Sequence, residues 1–304
     1  MLPEHTPFIL RRSLDRQVNR LFLIPALLIP VIVAVIALVL FLRSLPVMAT
    51  ATLPSLLLSS VWRPMAGEFG FFPFIMGSVI VSILAMVLAI PVSLLSAIYL
   101  SEFATPAVRR VLQPSIEILA GVPSVIFGLF GVLVVVPFIR DNLAPALHSQ
   151  STGYCVLAGG IILAMMVFPL LISVMTEVFS AVPAGMREAS LACGATRWEM
   201  VKHVTLRAGL AGIAAAVILA FARAFGETMA VLMVVGNVVQ VPGSVLDPAY
   251  PIPALIANNY GEMMSIPLYD STLLFSALIL FLVLIVFIVL TRIVLDRVKL
   301  RVIL

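Results

Sequence analysis

Two charged residues lie within an otherwise apolar stretch, Ala208–Gly236, and they are the residues best suited to chemistry. Arg223 and Glu227 are four residues apart, so a continuous helix would place them on one face. A charge near the centre of a bilayer costs on the order of 3 kcal/mol, so both residues need a partner, an aqueous path, or both. A planar guanidinium suits oxyanions, so we predict a site for a passing anion, with Glu227 holding Arg223 when no anion is present. The alternative is a mutual ion pair that only locks two helices.

A third candidate for the pathway is Glu117, which precedes the stretch ILAGVPSVIFGLFG. Pro123 removes one backbone hydrogen bond and disfavours helical geometry at Val122, so we expect a kink or break there. Broken helices in membranes usually line cavities, because their freed backbone groups need water or protein partners. An ordinary proline kink, with Glu117 snorkelling to the membrane surface, is the alternative.

The composition places these residues in a membrane. The chain of 304 residues is 62% hydrophobic and 11% charged, whereas soluble domains contain about 25% charged residues. We therefore predict an all-α integral membrane protein. The net charge of +4 could suit nucleic acid, but the basic residues flank apolar segments, which argues against that partner.

The apolar runs predict one transmembrane domain over residues 21–298, between a cytoplasmic N-terminal segment, 1–20, and a cytoplasmic C-terminus, 299–304. The first run is too long for a cleaved signal peptide, so we expect it to be retained. The six predicted spans are 21–42, 74–101, 112–139, 154–176, 208–236 and 271–291.

The basic residues also predict the orientation. With six spans both termini lie on one side, and that side holds fourteen of the 18 lysines and arginines. The positive-inside rule therefore places both termini in the cytoplasm.

The segment 177–207 carries charges and apolar residues at near-helical spacing, and we expect it on the cytoplasmic side. Gly194 allows a sharp reversal between one short helix that begins after Pro183 and a second over Thr196–His203. Two such amphipathic helices could lie in the membrane interface or dock into a groove of a partner protein.

Several kinds of site are not indicated. The histidines His5, His148 and His203 fall in separate segments without metal-ligand spacing, so we expect no metal site. Cys155 and Cys193 are expected on opposite sides of the membrane, too far apart for a disulfide. The chain has no glycine-rich phosphate-binding loop and no catalytic constellation, so ATP-driven transport would require an ATPase on another chain.

The charged segment resembles the EAA loop of ABC-importer permeases. This resemblance rests on Glu188-Ala189-Ser190 followed by Gly194, Val204 and Leu206, with Arg207 where the family usually has proline. In that family the loop is the coupling helix that inserts into a cleft of the ATPase. The resemblance therefore assigns ATPase coupling to Glu188, Ala189, Gly194 and Arg197.

Further stretches resemble the phosphate-importer permeases of the PstC type. They are Phe69–Ser82, Ile116–Gly131, Ala222–Asn237 and Ile256-Ala257-Asn258. The family's arginine and glutamate, implicated in phosphate passage, correspond to Arg223 and Glu227. The resemblance implies a type I ABC-importer permease in the bacterial inner membrane that is not itself an enzyme.

The same resemblance implies the partners. They are a PstA-like permease, two PstB-like ATPase subunits that bind ATP and Mg, and a periplasmic PstS-like phosphate-binding protein; the chain itself is expected to hold no cofactor. The loops 43–73 and 237–270 are expected to dock the binding protein. A permease for molybdate, tungstate or sulfate, and a membrane subunit that signals phosphate status, are the alternatives.

Overall fold

The computed structural model describes the backbone of residues 8–261, 266 and 268–303. Within these ranges the regular secondary structure is helical apart from one antiparallel hairpin, which confirms the predicted all-α class. The start of the expected N-terminal segment, with His5, and the final residue, Leu304, lie outside the described residues. The elements are α1 Phe8–Thr50, α2 Leu53–Leu58, β1 Trp62–Arg63, β2 Glu68–Phe69, α3 Phe72–Ile98, α4 Pro106–Ala120, α5 Ser124–Phe130, α6 Val136–Phe138, α7 Ala144–Ala146, α8 Val156–Ser180, α9 Ala184–Ala192, α10 Arg197–Met200, α11 Leu206–Phe225, α12 Met229–Leu232, α13 Ile252–Asn259 and α14 Tyr269–Ile303.

In the part of the chain that the structure describes, six helical stretches are long and apolar enough to cross a membrane, as predicted. Some are built from several helices joined by wider π-helical turns, which occur at Tyr99–Phe103, Gly131–Val135, Ile139–Leu143 and Val201–Thr205. The six spans are Leu21–Thr50, Phe72–Phe103, Ser124–Ala146, Val156–Ser180, Arg197–Phe225 and Tyr269–Ile293.

The third span differs from the predicted range 112–139. Helix α4 ends at Ala120, and α5 begins at Ser124 after a turn that contains Pro123. The predicted break is therefore present, for the expected reason that proline cannot continue the helical hydrogen bonds. Because α4 buries no side chain in this chain, it is a separate surface helix rather than the first part of the span.

The fifth span begins and ends earlier than the predicted range 208–236. A capping box between Thr196 and Glu199 starts the helix at Arg197, and a π-helical turn carries it into α11. The expected separate helix over Thr196–His203 is thus the start of the span itself. Arg207, which stands where the family has proline, keeps its backbone N–H, so the helix can continue through this position.

The main core lies where α3, α8 and α11 pack together. Leu171, Met175 and Phe179 of α8 are fully buried and follow one another at intervals of four residues, so they form one helical stripe. Phe221 and Phe225 of α11 stack with ring centroids 5.5 Å apart beside them. Lipid tails are as apolar as these side chains, so close packing rather than escape from water holds the spans together.

A second cluster, rich in aromatic residues, anchors the hairpin β1–β2. The ring of Trp62 makes edge-on contacts with Phe69, Phe74 and Tyr269, at centroid distances between 4.7 and 6.3 Å. Such edge-to-face pairs add to the packing energy of buried aromatic residues. The hairpin is therefore held firmly on the ends of α3 and α14.

Candidate functional site

Arg223 lies in the last turn of α11 and is exposed on the surface of the single chain. The helix ends at Phe225, so Glu227 lies beyond it in the turn that leads to α12. The prediction that one continuous helix places both residues on a shared face is therefore wrong. Within the described part of the chain Arg223 makes no ion pair, so the predicted alternative of a locked pair with Glu227 is not formed in this structure.

The carboxylate of Glu227 instead has a local partner. Its Oε1 atom accepts a hydrogen bond of 3.3 Å from the backbone N–H of Ala230. Helix α11 ends at Phe225, and the residue that follows is Gly226, whose conformational freedom disfavours continuation of the helix. The break therefore interrupts the apolar run between Arg223 and Glu227.

The break lies where two distant stretches of the sequence meet. Helix α5 packs against α12, and Gly128 allows the close approach. A Cβ atom at Gly128 would lie 3.1 Å from the Cα atom of Ala230 and 2.6 Å from Sδ of Met233. Two of the stretches that carry the resemblance to phosphate-importer permeases, Ile116–Gly131 and Ala222–Asn237, are thus in direct contact.

Glu117 does not join this group. It lies on the surface helix α4 and is exposed, where it lines a cavity of about 310 Å³ between α4 and α8. Arg109, Gln113, Thr176 and Glu177 line the same cavity. Glu117 therefore lies close to the C-terminal end of α8, and not close to Arg223 or Glu227.

The residues predicted to couple to an ATPase lie together on an exposed hairpin of helices. Glu188 and Ala189 are exposed on α9, and Arg197 is the exposed first residue of α10. Gly194 has a φ of +87° between the two helices, which confirms the predicted sharp reversal. Thr196 and Glu199 fix the second helix by a reciprocal capping box, with Thr196 N–H donating to Glu199 Oε2 at 2.7 Å.

Apolar side chains share this exposed surface. They are Met186, Leu191 and Trp198, which are 49%, 40% and 53% exposed. A surface that combines apolar side chains with charges suits a groove of another protein.

Sequence reasoning missed the charged contacts behind this hairpin. Arg187 of α9 makes an ion pair of 3.0 Å with Glu102, whose side chain is only 7% exposed. Arg109 donates from Nε to the carbonyl of Leu100 at 3.0 Å. The partners are far apart in the sequence, so no local spacing of residues indicates that they form a pair. The one feature of the sequence that could have identified the contact is a single glutamate, Glu102, at the end of an apolar span.

The structure also places the cysteines and two of the histidines. Cys155 is buried and Cys193 is exposed, and both are free thiols in this structure. His148 and His203 are exposed, and the described residues contain no group of three or more histidine, cysteine, aspartate or glutamate side chains that could hold a metal ion.

The arrangement of six spans is that of an ABC-importer permease. A solved bacterial ABC transporter involved in the import of the acidic polysaccharide alginate has the same fold, with a TM-score of 0.58 over 94% of this chain and 99% of that chain. The two sequences are 15% identical, so this likeness concerns the fold alone.

The sequence defines the family. Residues 89–303 match the family of binding-protein-dependent transport system inner membrane components, and the chain belongs to this family. It is thus a multi-pass membrane protein of a class that works with a partner permease, an ATPase and a binding protein.

Within that family the similarity is to phosphate-transport permeases. The chain is 37% identical over 218 residues to the phosphate transport system permease protein PstC of Xylella fastidiosa (strain 9a5c), covering 67% of each protein. It is 39% identical over 203 residues to the probable ABC transporter permease protein YqgH of Bacillus subtilis (strain 168), covering 66% of this chain. That alignment spans 64% of the Bacillus protein, just under two thirds of its length. The predicted resemblance to PstC-type permeases is confirmed.

Proposed function

We propose that the chain is a permease subunit of an ATP-driven importer that carries inorganic phosphate across the bacterial inner membrane. The similarity to PstC permeases supports phosphate as the substrate. Both termini lie in the cytoplasm, in keeping with the distribution of basic residues. The chain is not an enzyme and holds no cofactor of its own, because ATP and Mg bind to a separate PstB-like ATPase.

The observation that carries this proposal is the placement of Arg223. Its guanidinium lies at the end of a membrane helix, exposed on the surface of the chain, and within the described residues it has no acidic partner. A guanidinium is always charged and binds oxyanions through several parallel N–H donors. In a membrane such a charge needs an anion or a polar path beside it, and a passing phosphate supplies the anion.

The surface that bears Arg223 is also where a second permease completes the pathway. Arg223 is exposed only because the single chain leaves this surface of α11 open. A PstA-like subunit packed against it encloses the anion between two permeases. When no anion is bound, Glu227 on the non-helical break exchanges its hydrogen bond from Ala230 N–H for a contact with Arg223.

The exposed helices α9 and α10 are the contact with the ATPase. Glu188, Ala189, Gly194 and Arg197 belong to this surface. ATP binding closes the two ATPase subunits, and the movement passes through α9 to the spans. The pathway near Arg223 then opens outward, and ATP hydrolysis returns it inward.

On the outer side, the segment 43–73, which contains the hairpin β1–β2, and the segment 237–270 receive a PstS-like binding protein. The side chain of Met65 at the hairpin tip is 88% exposed, while the aromatic cluster holds the strands in place. A rigid loop with an exposed apolar tip suits docking of a protein that arrives with its phosphate.

The test is ATP-dependent uptake of labelled phosphate into vesicles that contain the complete complex and its binding protein. We expect accumulation of phosphate that excess unlabelled molybdate, tungstate or sulfate leaves unchanged. Competition by one of these anions would make the chain a permease for that oxyanion. A complex that assembles and hydrolyses ATP without accumulating any anion would contradict transport and favour a signalling subunit.

A further inference from the structure

The carboxylate of Glu102 is the centre of a buried polar cluster at the base of α9. Its Oε1 atom accepts hydrogen bonds from Arg187 Nε at 3.1 Å and from Thr205 Oγ1 at 3.3 Å. Arg187 also donates from Nη2 to the backbone carbonyl of Phe179. The side chains of Glu102 and Arg187 are 7% and 21% exposed, and Thr205 is fully buried. A charge this buried requires its partner.

The cluster joins four separate elements. Glu102 lies in the π-helical turn Tyr99–Phe103 at the end of the second span, and Phe179 lies at the end of α8. Thr205 lies in the π-helical turn that leads into α11, and Arg187 lies in the middle of α9. Arg187 therefore ties α9 to the second and fourth spans, and Glu102 extends the cluster to the fifth span through Thr205.

Helix α9 depends on this tie because it has little packing of its own. It has no buried residue, in contrast to α8, whose core-facing stripe is fully buried. Apolar packing therefore cannot hold α9 firmly against the spans. The ion pair with Glu102 and the hydrogen bond to the Phe179 carbonyl supply directional contacts between them.

The same turn of the second span is also held from α4. Arg109 donates from Nε to the carbonyl of Leu100 at 3.0 Å and from Nη2 to the carbonyl of Ser101 at 2.9 Å. These carbonyls directly precede Glu102. A displacement of Glu102 therefore also displaces α4, the helix that carries Glu117.

We propose that the pair Arg187–Glu102 is the joint that transmits movement of α9 to the second and fifth spans. Arg187 and Glu102 are thus positioning residues for coupling, and they touch neither the anion nor ATP. This inference rests on the proposed function, because it requires an ATPase that moves α9.

The experiment compares Glu102→Gln, Arg187→Gln, Arg187→Lys and the exchanged pair Glu102→Arg with Arg187→Glu in the complete reconstituted complex. Asp141→Asn is the matched control, because Asp141 also pairs with an arginine but is 55% exposed. The quantity measured is phosphate imported per ATP hydrolysed. We expect it to fall by roughly tenfold in both Gln variants, within the range typical of coupling between distant sites. We expect a smaller fall in Arg187→Lys, partial recovery in the exchanged pair and no change in the control.

An unchanged ratio of phosphate imported to ATP hydrolysed in both Gln variants would overturn the proposal that this pair transmits the movement of α9. If the wild-type complex failed to import phosphate at all, the proposed function would be contradicted instead, so the two failures are distinguishable.

A second measurement does not depend on the variants retaining their fold around Glu102. Spin labels on the exposed native Cys193 and on Phe103→Cys report the distance between the helical hairpin and the end of the second span. If the joint moves as one body, this distance is the same in nucleotide-free and ATP-bound complexes. A distance that changes with nucleotide would overturn the proposal.

Discussion

Two arginines, Arg187 and Arg223, show how differently this chain uses charge at its two candidate functional regions. Arg187 is largely buried and is held by a carboxylate and a backbone carbonyl of the same chain. Arg223 is exposed, and within the described residues no carboxylate of the chain pairs with it. The first charge holds elements together, whereas the second is available to something outside the chain.

This difference explains why only one of the two was recognisable from local sequence. Arg223 lies in an apolar stretch, where the cost of burying a charge marks it at once. Arg187 lies in a polar segment, where a charge needs no explanation. Its partner, Glu102, is 85 residues away in the sequence.

Removal of the buried Glu102 carboxylate is expected to have the largest effect on stability. Glu102→Ala leaves Arg187 without its partner, and breaking a buried pair costs about 3–5 kcal/mol. We expect a large drop in the unfolding temperature of the purified complex in detergent. Asp141→Ala, at an exposed pair, is the control and should leave that temperature unchanged. Equal effects of the two variants would show that burial of the Glu102 pair is unimportant.

The next largest effect is expected at the contact between α5 and α12. Gly128→Val introduces atoms where even a Cβ would lie 2.6 Å from Met233 Sδ, and such overpacking costs about 1–3 kcal/mol. Thermal unfolding checks this, with Leu129→Val at the neighbouring exposed position as the control. A tolerated valine at Gly128 would mean that the two helices are not closely packed in the assembled transporter.

A smaller effect is expected at the reversal between α9 and α10. Gly194→Ala places a side chain at a φ of +87°, a left-handed geometry that costs roughly 1–2 kcal/mol for other residues. Gly185→Ala, within α9 and with open space around it, is the control and should be neutral or slightly stabilising. Equal unfolding temperatures for the two variants would contradict the left-handed backbone geometry at Gly194.

The smallest effect on stability is expected at Arg223 itself. Substitutions at exposed positions without partners usually change the free energy of unfolding by less than about 0.5 kcal/mol. Arg223→Gln should therefore assemble and melt like the wild type. A loss of several degrees in the unfolding temperature would show that Arg223 has a structural partner in the complex and would weaken the contrast with Arg187.

Much of the fold follows from the sequence, because the membrane imposes simple demands. The six apolar runs, the break at Pro123 and the reversal at Gly194 were predictable from length, missing donors and glycine geometry. Helix ends were harder to predict. The apolar residues of α4 continue into the third span, and those after Phe225 continue the fifth, so hydropathy alone hides both breaks.

The site was predictable only in part. The cost of placing a charge in a membrane singles out Arg223 and Glu227 as candidates. Helix α11 ends between them, so they lie on either side of a break and are not neighbours on one helix. Glu117 was placed on a span and lies on a surface helix instead. The cluster around Glu102 depends on tertiary contacts between four elements, which no local pattern contains.

The most direct test of the account is uptake of labelled phosphate by reconstituted complexes that carry Arg223→Gln. Arg43→Gln is the control, since Arg43 is an exposed arginine in the apolar helix α1. We predict that Arg223→Gln abolishes ATP-dependent uptake while the ATPase still hydrolyses ATP, and that the control transports normally. Normal uptake by Arg223→Gln would contradict the claim that this arginine lies on the path of the anion.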